Sequence, residues 1–357
     1  MSANPIDRLR RQIDRIDDAM LRLLARRAAA ARAIGRAKAV DGRGVYVPAR
    51  EKKIFDRLSR KRGDLPAAVV RAVFREVISA CRSLERGIRV AYLGPEATYT
   101  HMAAREQFGA AVTFVPVDSI PQVFEEVERG EAEFGVVPIE NSTDGTVTHT
   151  LDRFLESTVK IAAEICLDVN HCLLSRTGDP DIVRRIYSHP QGLAQCRRWI
   201  ATHHPRATLH ETASTARAAD EAARDMKGAA IASALAADVY GLETIAEDIQ
   251  DVSFNATRFV VIAGEDSPEP SGDDKTSVVF SIRDEVGILH RMLEPFAENR
   301  INLTRIESRP LKGRPWEYVF FIDLLGHRKE RRVTRALGKL DPLCQMLKVL
   351  GSYPVWR

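Results

Sequence analysis

Between Pro5 and Val40 the apolar residues Ile6, Leu9, Ile13, Ile16, Met20 and Leu23 recur at alternating steps of three and four. On a helix this spacing lays them along a single a/d stripe, so it predicts one long amphipathic helix, ~54 Å at ~1.5 Å per residue. Asn4 offers an N-cap oxygen and Pro5 the preset φ of a first helical position, while Asp41-Gly42-Arg43-Gly44 supplies the stop. Two shorter helices follow, about Pro48 to Arg62 and Pro66 to Arg86, each opened by proline and divided by Gly63-Asp64. Three helices are too few to cover so long a stripe, and a second copy of the chain is expected to cover it in an intertwined dimer.

Near Gly87 the pattern changes to short β-rich runs alternating with helices: Ile88 to Leu93, Val112 to Val117, Phe134 to Val137, Ile186 to Ser188, Ala229 to Ala232 and Phe259 to Ala263. This predicts an α/β domain of two lobes with a cleft between them. Gly264 to Asp274 is polar and carries two prolines, and it reads as a linker. The remainder runs strand, helix, strand, strand, helix, strand, the ferredoxin-like βαββαβ order. The expected domains are therefore 1–87 (all-helical), 88–264 (two-lobed α/β), 265–274 (linker) and 275–357 (βαββαβ), a multidomain α and α/β protein.

A length of 357 residues agrees with two or three cores. No apolar run approaches the roughly 18 residues that span a bilayer, and the charged N-terminal residues Asp7, Arg8 and Arg10 do not resemble a signal-peptide core, so neither membrane insertion nor export is expected and a cytoplasmic location follows. The five cysteines are irregularly spaced with no C-x-x-C pair, which suggests neither a disulfide framework nor a metal site, and no cofactor is expected. The charge is nearly balanced, 53 basic against 49 acidic residues, and the basic N-terminal third lacks the aromatic interleaving of a nucleic-acid surface. Small anionic ligands account for it as well.

With Leu9-Arg10, Arg27, Gly35-Arg36-Ala37-Lys38, Arg50-Glu51 and the run Phe74 to Glu85, the helical segment resembles the all-helical chorismate mutases. The resemblance implies that Arg10, Arg27 and Lys38 hold the carboxylates and ether oxygen of chorismate, that Glu51 meets its hydroxyl, and that Arg50, Cys81 and Glu85 complete the site. Lys38 and Glu85 would act on the reacting ether. Val47 stands where that family often has aspartate, Cys81 where it has serine and Glu85 where it has glutamine. Arg27 and Lys38 are eleven residues apart, three turns, and share a face, whereas Arg10 lies about 100° away and is expected to serve the other subunit's site. The rearrangement is pericyclic. It needs a compact dianion and stabilised charge on the ether oxygen, which cations and a neutral donor provide.

The central segment resembles prephenate dehydratase through Gly94-Pro95-Glu96-Ala97-Thr98-Tyr99-Thr100, Pro138-Ile139-Glu140-Asn141-Ser142, Ser188-His189-Pro190-Gln191, Thr212-Ala213-Ser214-Thr215 and Asn255-Ala256-Thr257-Arg258-Phe259, with Ala97 where glycine is usual. The resemblance implies that Thr257 is the essential hydroxyl and that Thr98, Asn141, Ser142, Ser188, Gln191, Ser214, Arg258 and Phe259 line the prephenate site. Each motif reads as a strand-to-helix turn. His189 is open to two readings, an acid or a residue that orients its loop, and Arg258 to two more, a carboxylate anchor or a structural salt bridge.

The C-terminal segment resembles ACT domains through Asp284-Glu285-Val286-Gly287-Ile288-Leu289 and Glu307-Ser308-Arg309-Pro310. This implies an L-phenylalanine site formed by Gly287, Ile288, Leu289, Asn302, Glu307, Ser308 and Arg309. Taken together, the resemblances imply a bifunctional enzyme of phenylalanine biosynthesis under feedback control, assembled as a homodimer or larger. Two readings compete with it: a two-lobed sensor of small anions that controls a partner, and a dehydratase whose helical segment is a dimerisation module without activity.

Overall fold

The computed structural model describes residues 4–41, 47–85, 87–252, 254–283, 285–310 and 318–356, with the side chains of 38–41 left out. It divides into two compact units, one mostly N-terminal and helical, the other carrying the α/β lobes and the C-terminal sheet.

The N-terminal helices are α1 (Pro5–Asp41), α2 (Pro48–Arg60) and α3 (Ala67–Glu85), of which the first turn of α2, Pro48–Lys52, groups with the larger unit. The Asn4 carboxamide accepts from the Ile6 N–H at 3.0 Å, as an N-cap should. Arg27 donates to the Val77 carbonyl, and a β-carbon on Gly35 would come 3.1 Å from the Glu85 β-carbon, so the C-terminal part of α1 runs parallel to α3 and against it. Further toward the N-terminus nothing among the described residues covers the stripe: Ile6, Leu9, Ile13, Ile16, Met20 and Leu23 are between 49% and 60% exposed.

In the larger unit the first lobe is formed by β1 (Arg89–Leu93), α4 (Tyr99–Phe108), β2 (Thr113–Val117), α5 (Ile120–Glu128), β3 (Phe134–Asn141), β4 (Gly145–Thr146), α6 (Thr148–Glu156) and β5 (Lys160–Asp168). The chain crosses at Val169-Asn170-His171 to a second lobe of β6 (Cys172–Ser175), β7 (Arg185–Ser188), α7 (Pro190–Gln195), α8 (Arg197–His203), β8 (Thr208–Glu211), α9 (Thr215–Arg224), β9 (Gly228–Ala232), α10 (Ala234–Tyr240) and β10 (Glu243–Ala246). It returns as β11 (Ala256–Ala263). The sheets are ordered β2-β1-β3-β11-β5 and β10-β6-β9-β7-β8. Because β11 is antiparallel to β3, its first residues lie beside the last residues of β3, and Thr257 pairs with Asn141. Thr257 therefore reaches the end of the sheet from a strand start, not from the strand-to-helix turn its motif suggested.

The C-terminal sheet, β13-β14-β12-β15, is formed by β12 (Asp274–Ile282), α11 (Ile288–Glu298), β13 (Leu303–Pro310), β14 (Tyr318–Leu325), α12 (Arg331–Leu340) and β15 (Cys344–Pro354), in the expected βαββαβ order. One face packs on its own helices through Phe280, Phe296 and Val333. The other shares a core with the first lobe: Val279, Phe321, Leu350 and Tyr353 meet Phe124, Phe154, Ile161 and Val260. Gly351 permits the closest approach, since a β-carbon there would lie 2.2 Å from the Ile161 carbonyl oxygen. The stretch read as a linker is fastened down, with Asp266 accepting from the Ser352 N–H and from Arg328, and the Ser267 carbonyl lying against His327.

Candidate active site

Asn141 is the pivot of the cleft. Its Oδ1 accepts from the backbone N–H groups of Thr143 (2.9 Å) and Asp144 (3.0 Å), and because those groups only donate, the orientation of the amide is fixed. Its Nδ2 then spends one hydrogen on Asn255 Oδ1 (2.9 Å) and the other on Thr257 Oγ1 (2.8 Å). Thr257 accepts in that bond and so keeps its own hydrogen to donate elsewhere.

The same reasoning runs on through the cluster. Asn255 Nδ2 donates to Gln195 Oε1 at 3.0 Å, and His171 Nε2 lies 2.8 Å from the same oxygen. Gln195 Nε2 is buried and has no partner among the described residues. The Tyr99 hydroxyl lies 3.0 Å from His171 Nδ1 and 2.7 Å from the Asn170 carbonyl oxygen, two acceptors that share its single hydrogen when the neutral ring carries its own on Nε2. Burial lowers the His171 pKa against the opposing pull of the Gln195 bond, so the ring is neutral near pH 7. Thr257 and Gln195 are thus two donors on one connected, almost dry network, suited to a leaving oxygen or a carboxylate.

The other residues expected in this site mostly build its walls. Thr98 caps α4 and donates to the Leu93 and Pro95 carbonyls; Ser142 accepts from the Ala256 N–H. Ser188 is fully buried and gives its hydrogen to the Ile231 carbonyl, while Ser214 is the N-cap of α9. His189 caps α7 by accepting from the Gln191 N–H, which favours the loop-orienting reading over the acid. Gln191 reaches across from the second lobe to the Asp144 carboxylate.

Two expectations need correction. Arg258, one residue after Thr257, points to the opposite face of the strand, where it pairs with Glu164 (2.9 Å) and Asp323 (2.5 Å) and donates to the Tyr353 hydroxyl; it links the first lobe to the C-terminal sheet and anchors no carboxylate in the cleft. Phe259 is 2% exposed and fills the core.

In the helical unit, Cys81 and Glu85 lie one turn apart on α3, Cys81 buried and Glu85 beside Gly35. Arg10 is 74% exposed, 3.6 Å from Asp7. Arg50 and Glu51 open α2, whose N-cap Val47 contributes no side-chain bond. The Lys38 side chain lies outside the described residues.

In the C-terminal domain Gly287 has a φ of 77°, left-handed backbone that favours glycine, just ahead of α11; Asp284 lies outside the described residues. Leu289 is exposed, Ile288 is buried, and the Asn302 carbonyl accepts from the Leu325 N–H. Along β13, Glu307 and Arg309 turn toward the first lobe, to Thr146 (3.0 Å) and Asp152 (3.1 Å), with Ser308 on the other face. Both side chains are thus held by partners in the first lobe, and Ser308 stands exposed.

Three family models match consecutive parts of the chain: chorismate mutase type II over residues 9–86, prephenate dehydratase over 90–267 and the ACT domain over 276–342. The bifunctional chorismate mutase/prephenate dehydratase of Aquifex aeolicus is 48% identical over 97% of each chain. The chain belongs to the bifunctional chorismate mutase/prephenate dehydratase family. Among solved structures, prephenate dehydratase from Arthrobacter aurescens in complex with L-Phe is 37% identical with a TM-score of 0.70, covering 75% of this chain and 90% of that one. GqqA, described as a quorum-quenching acylase, is 30% identical with the same TM-score, covering 75% of this chain and 98% of its own.

For a member of this bifunctional family, sequence reasoning overlooked Tyr99, His171 and Gln195 as a connected group. Tyr99 and Asn255 lay inside motifs. Gln195 carried a usable signal, since it closes the short α7 that the Ser188-His189-Pro190-Gln191 motif opens.

Proposed function

We propose that the helical unit rearranges chorismate to prephenate, that the two-lobed cleft converts prephenate to phenylpyruvate, and that L-phenylalanine bound to the ACT domain restrains the second step. The observation that carries the dehydratase assignment is the committed Asn141 amide, which leaves the Thr257 hydrogen free. Prephenate loses its ring carboxylate as carbon dioxide; that electron pair enters the ring as it becomes aromatic, and the hydroxyl across the ring departs with a proton as water. Thr257 donates to the departing oxygen, and the Gln195 amide supplies a second donor to the substrate. Threonine is a weak acid, so its part is to hydrogen-bond the leaving group as charge builds on it.

For the mutase we assign Arg27, Lys38, Arg50, Glu51, Cys81 and Glu85 to one chain. Arg10 is ~25 Å along α1 from Arg27 at ~1.5 Å per residue, too far for one small dianion, and so serves a second chain. The uncovered α1 stripe supports the same homodimer, because a row of half-exposed Ile, Leu and Met is costly in water. The effector site is assigned to Gly287, Ile288, Leu289, Asn302 and Ser308, beside the exposed Val286 and Ile306. The enzyme is taken as cytoplasmic. An acylase would need a nucleophile paired with a base; among the described residues the Thr208–His210 pair lies exposed on an edge strand, and the Tyr99–His171 pair rests on a buried phenol whose pKa is raised by burial, and neither supports that chemistry here.

The test is to supply chorismate to the pure protein and follow prephenate and phenylpyruvate separately, with and without L-phenylalanine. Both products should form, and phenylalanine should suppress phenylpyruvate. Prephenate without phenylpyruvate, or neither, would contradict the assignment.

A further inference from the structure

His171 stands where the chain first crosses between the lobes, three residues after β5 ends. Its backbone is tied to the other crossover: its N–H donates to Gln250 Oε1 at 2.9 Å and its carbonyl accepts from the Ile249 N–H at 3.0 Å. Its side chain, 2% exposed, joins one helix of each lobe, Tyr99 on α4 through Nδ1 and Gln195 on α7 through Nε2. The rings of His171 and Tyr99 meet edge to face, 5.8 Å between centroids.

The amides leave the ring little choice. Asn141 is oriented by two backbone donors, Asn255 by Asn141, and Gln195 by Asn255, so Gln195 presents its oxygen to His171 Nε2. An oxygen cannot donate, so Nε2 must carry the hydrogen. That bond holds Gln195 Oε1 between two donors and leaves the Gln195 Nε2 hydrogens as the uncommitted donors of the network.

We propose that His171 is a positioning residue of the dehydratase: through its Nε2–H it locks the Gln195 amide with the nitrogen turned to the substrate. It touches no reacting atom, being separated from Thr257 by Gln195, Asn255 and Asn141. This role rests on the assignment of the prephenate site to Thr257 and Gln195. Losing the lock leaves Gln195 with a single fixed partner and lets the amide rotate, which costs alignment in the transition state more than it costs binding.

The test uses the full-length protein with prephenate as substrate. His171→Leu should lower kcat by about a hundredfold, the scale of a misplaced catalytic group, with KM moving much less. In His171→Gln the new amide nitrogen sits about where Nε2 does, and most of kcat should return; His171→Asn reaches only the Tyr99 side and should resemble His171→Leu. Adding His171→Leu to Gln195→Ala should cost nothing further, because the effect passes through Gln195. Thermal melts accompany each variant, and if His171→Leu does not fold, the Gln and Asn variants carry the comparison. Equal losses in Gln and Asn, a wild-type kcat in Asn, or losses that multiply in the double variant would overturn the proposal. Thr257→Ala run alongside separates the two levels: if it stays active the site assignment itself fails, whereas if it is inactive while the His171 variants match wild type, only the positioning role fails.

Discussion

Thr257 and Arg258 are consecutive on β11 and serve opposite sides of its sheet: the Thr257 hydroxyl accepts from Asn141 in the cleft, while the Arg258 guanidinium pairs with Glu164 and Asp323 against the C-terminal sheet. A displacement of this strand at the ACT domain is therefore one residue away from the Thr257 hydroxyl.

Arg258→Met should destabilise the larger unit. The Glu164 and Asp323 carboxylates, 2% and 6% exposed, would keep Lys275 but lose the guanidinium between them, and an uncompensated buried charge costs about 3–5 kcal/mol. Urea unfolding measures it. Burial alone would raise the Asp323 pKa, but Arg258 and the Ser277 hydroxyl hold it below its usual value. A depressed folded pKa gives stability that is complete above the unfolded value of about 3.9 and is lost as pH falls through the folded one. Wild type should accordingly lose a component of stability below about pH 4 that Asp323→Asn lacks. A wild-type urea midpoint for Arg258→Met would contradict the structural role.

With Glu85 assigned to the reacting ether, the mutase should show a pH dependence. The ether oxygen of chorismate accepts hydrogen bonds only, and an ionised carboxylate also accepts only, so Glu85 serves when protonated. Mutase kcat/KM should decline toward alkaline pH, and Glu85→Gln, a permanent donor of similar shape, should flatten the profile and gain most at high pH. Superimposable profiles would mean that Glu85 does not face the reacting oxygen.

Ile13→Asp places a charge in the middle of the uncovered α1 stripe. Sedimentation should show a shift toward monomer, with mutase activity reduced at least tenfold because Arg10 of a second chain is withdrawn, a barrier raised by about 1.4 kcal/mol or more. An Ile13→Asp variant with unchanged mass and activity would leave the stripe without a partner to explain it.

Much of this was legible in the sequence where a single periodicity or motif carried the message. The three-and-four stepping gave α1, and β1, β2, β3, β7, β9 and β11 stand where β-rich runs predicted them. β5 was not read: its Ala162-Ala163-Glu164 centre suggests a helix, and it becomes a buried strand because Arg258 and Lys275 neutralise Glu164. Ala97, where the resemblance to prephenate dehydratase leads to an expectation of glycine, sits at a φ of 65°, left-handed backbone that favours glycine. The Tyr99, His171, Gln195 and Asn255 connection was invisible because it joins four distant parts of the chain through crossovers that only the folded lobes bring together. Strand alternation did hold one unused clue, since adjacent Thr257 and Arg258 cannot both face one cleft.

The most direct test supplies chorismate to full-length Thr257→Ala and measures both products. The mutase half lies far along the chain from Thr257, so prephenate should form at the wild-type rate and accumulate, while phenylpyruvate formation falls to near background. Phenylpyruvate at a wild-type rate, or an equal loss of both activities in a folded variant, would contradict the division of labour set out above.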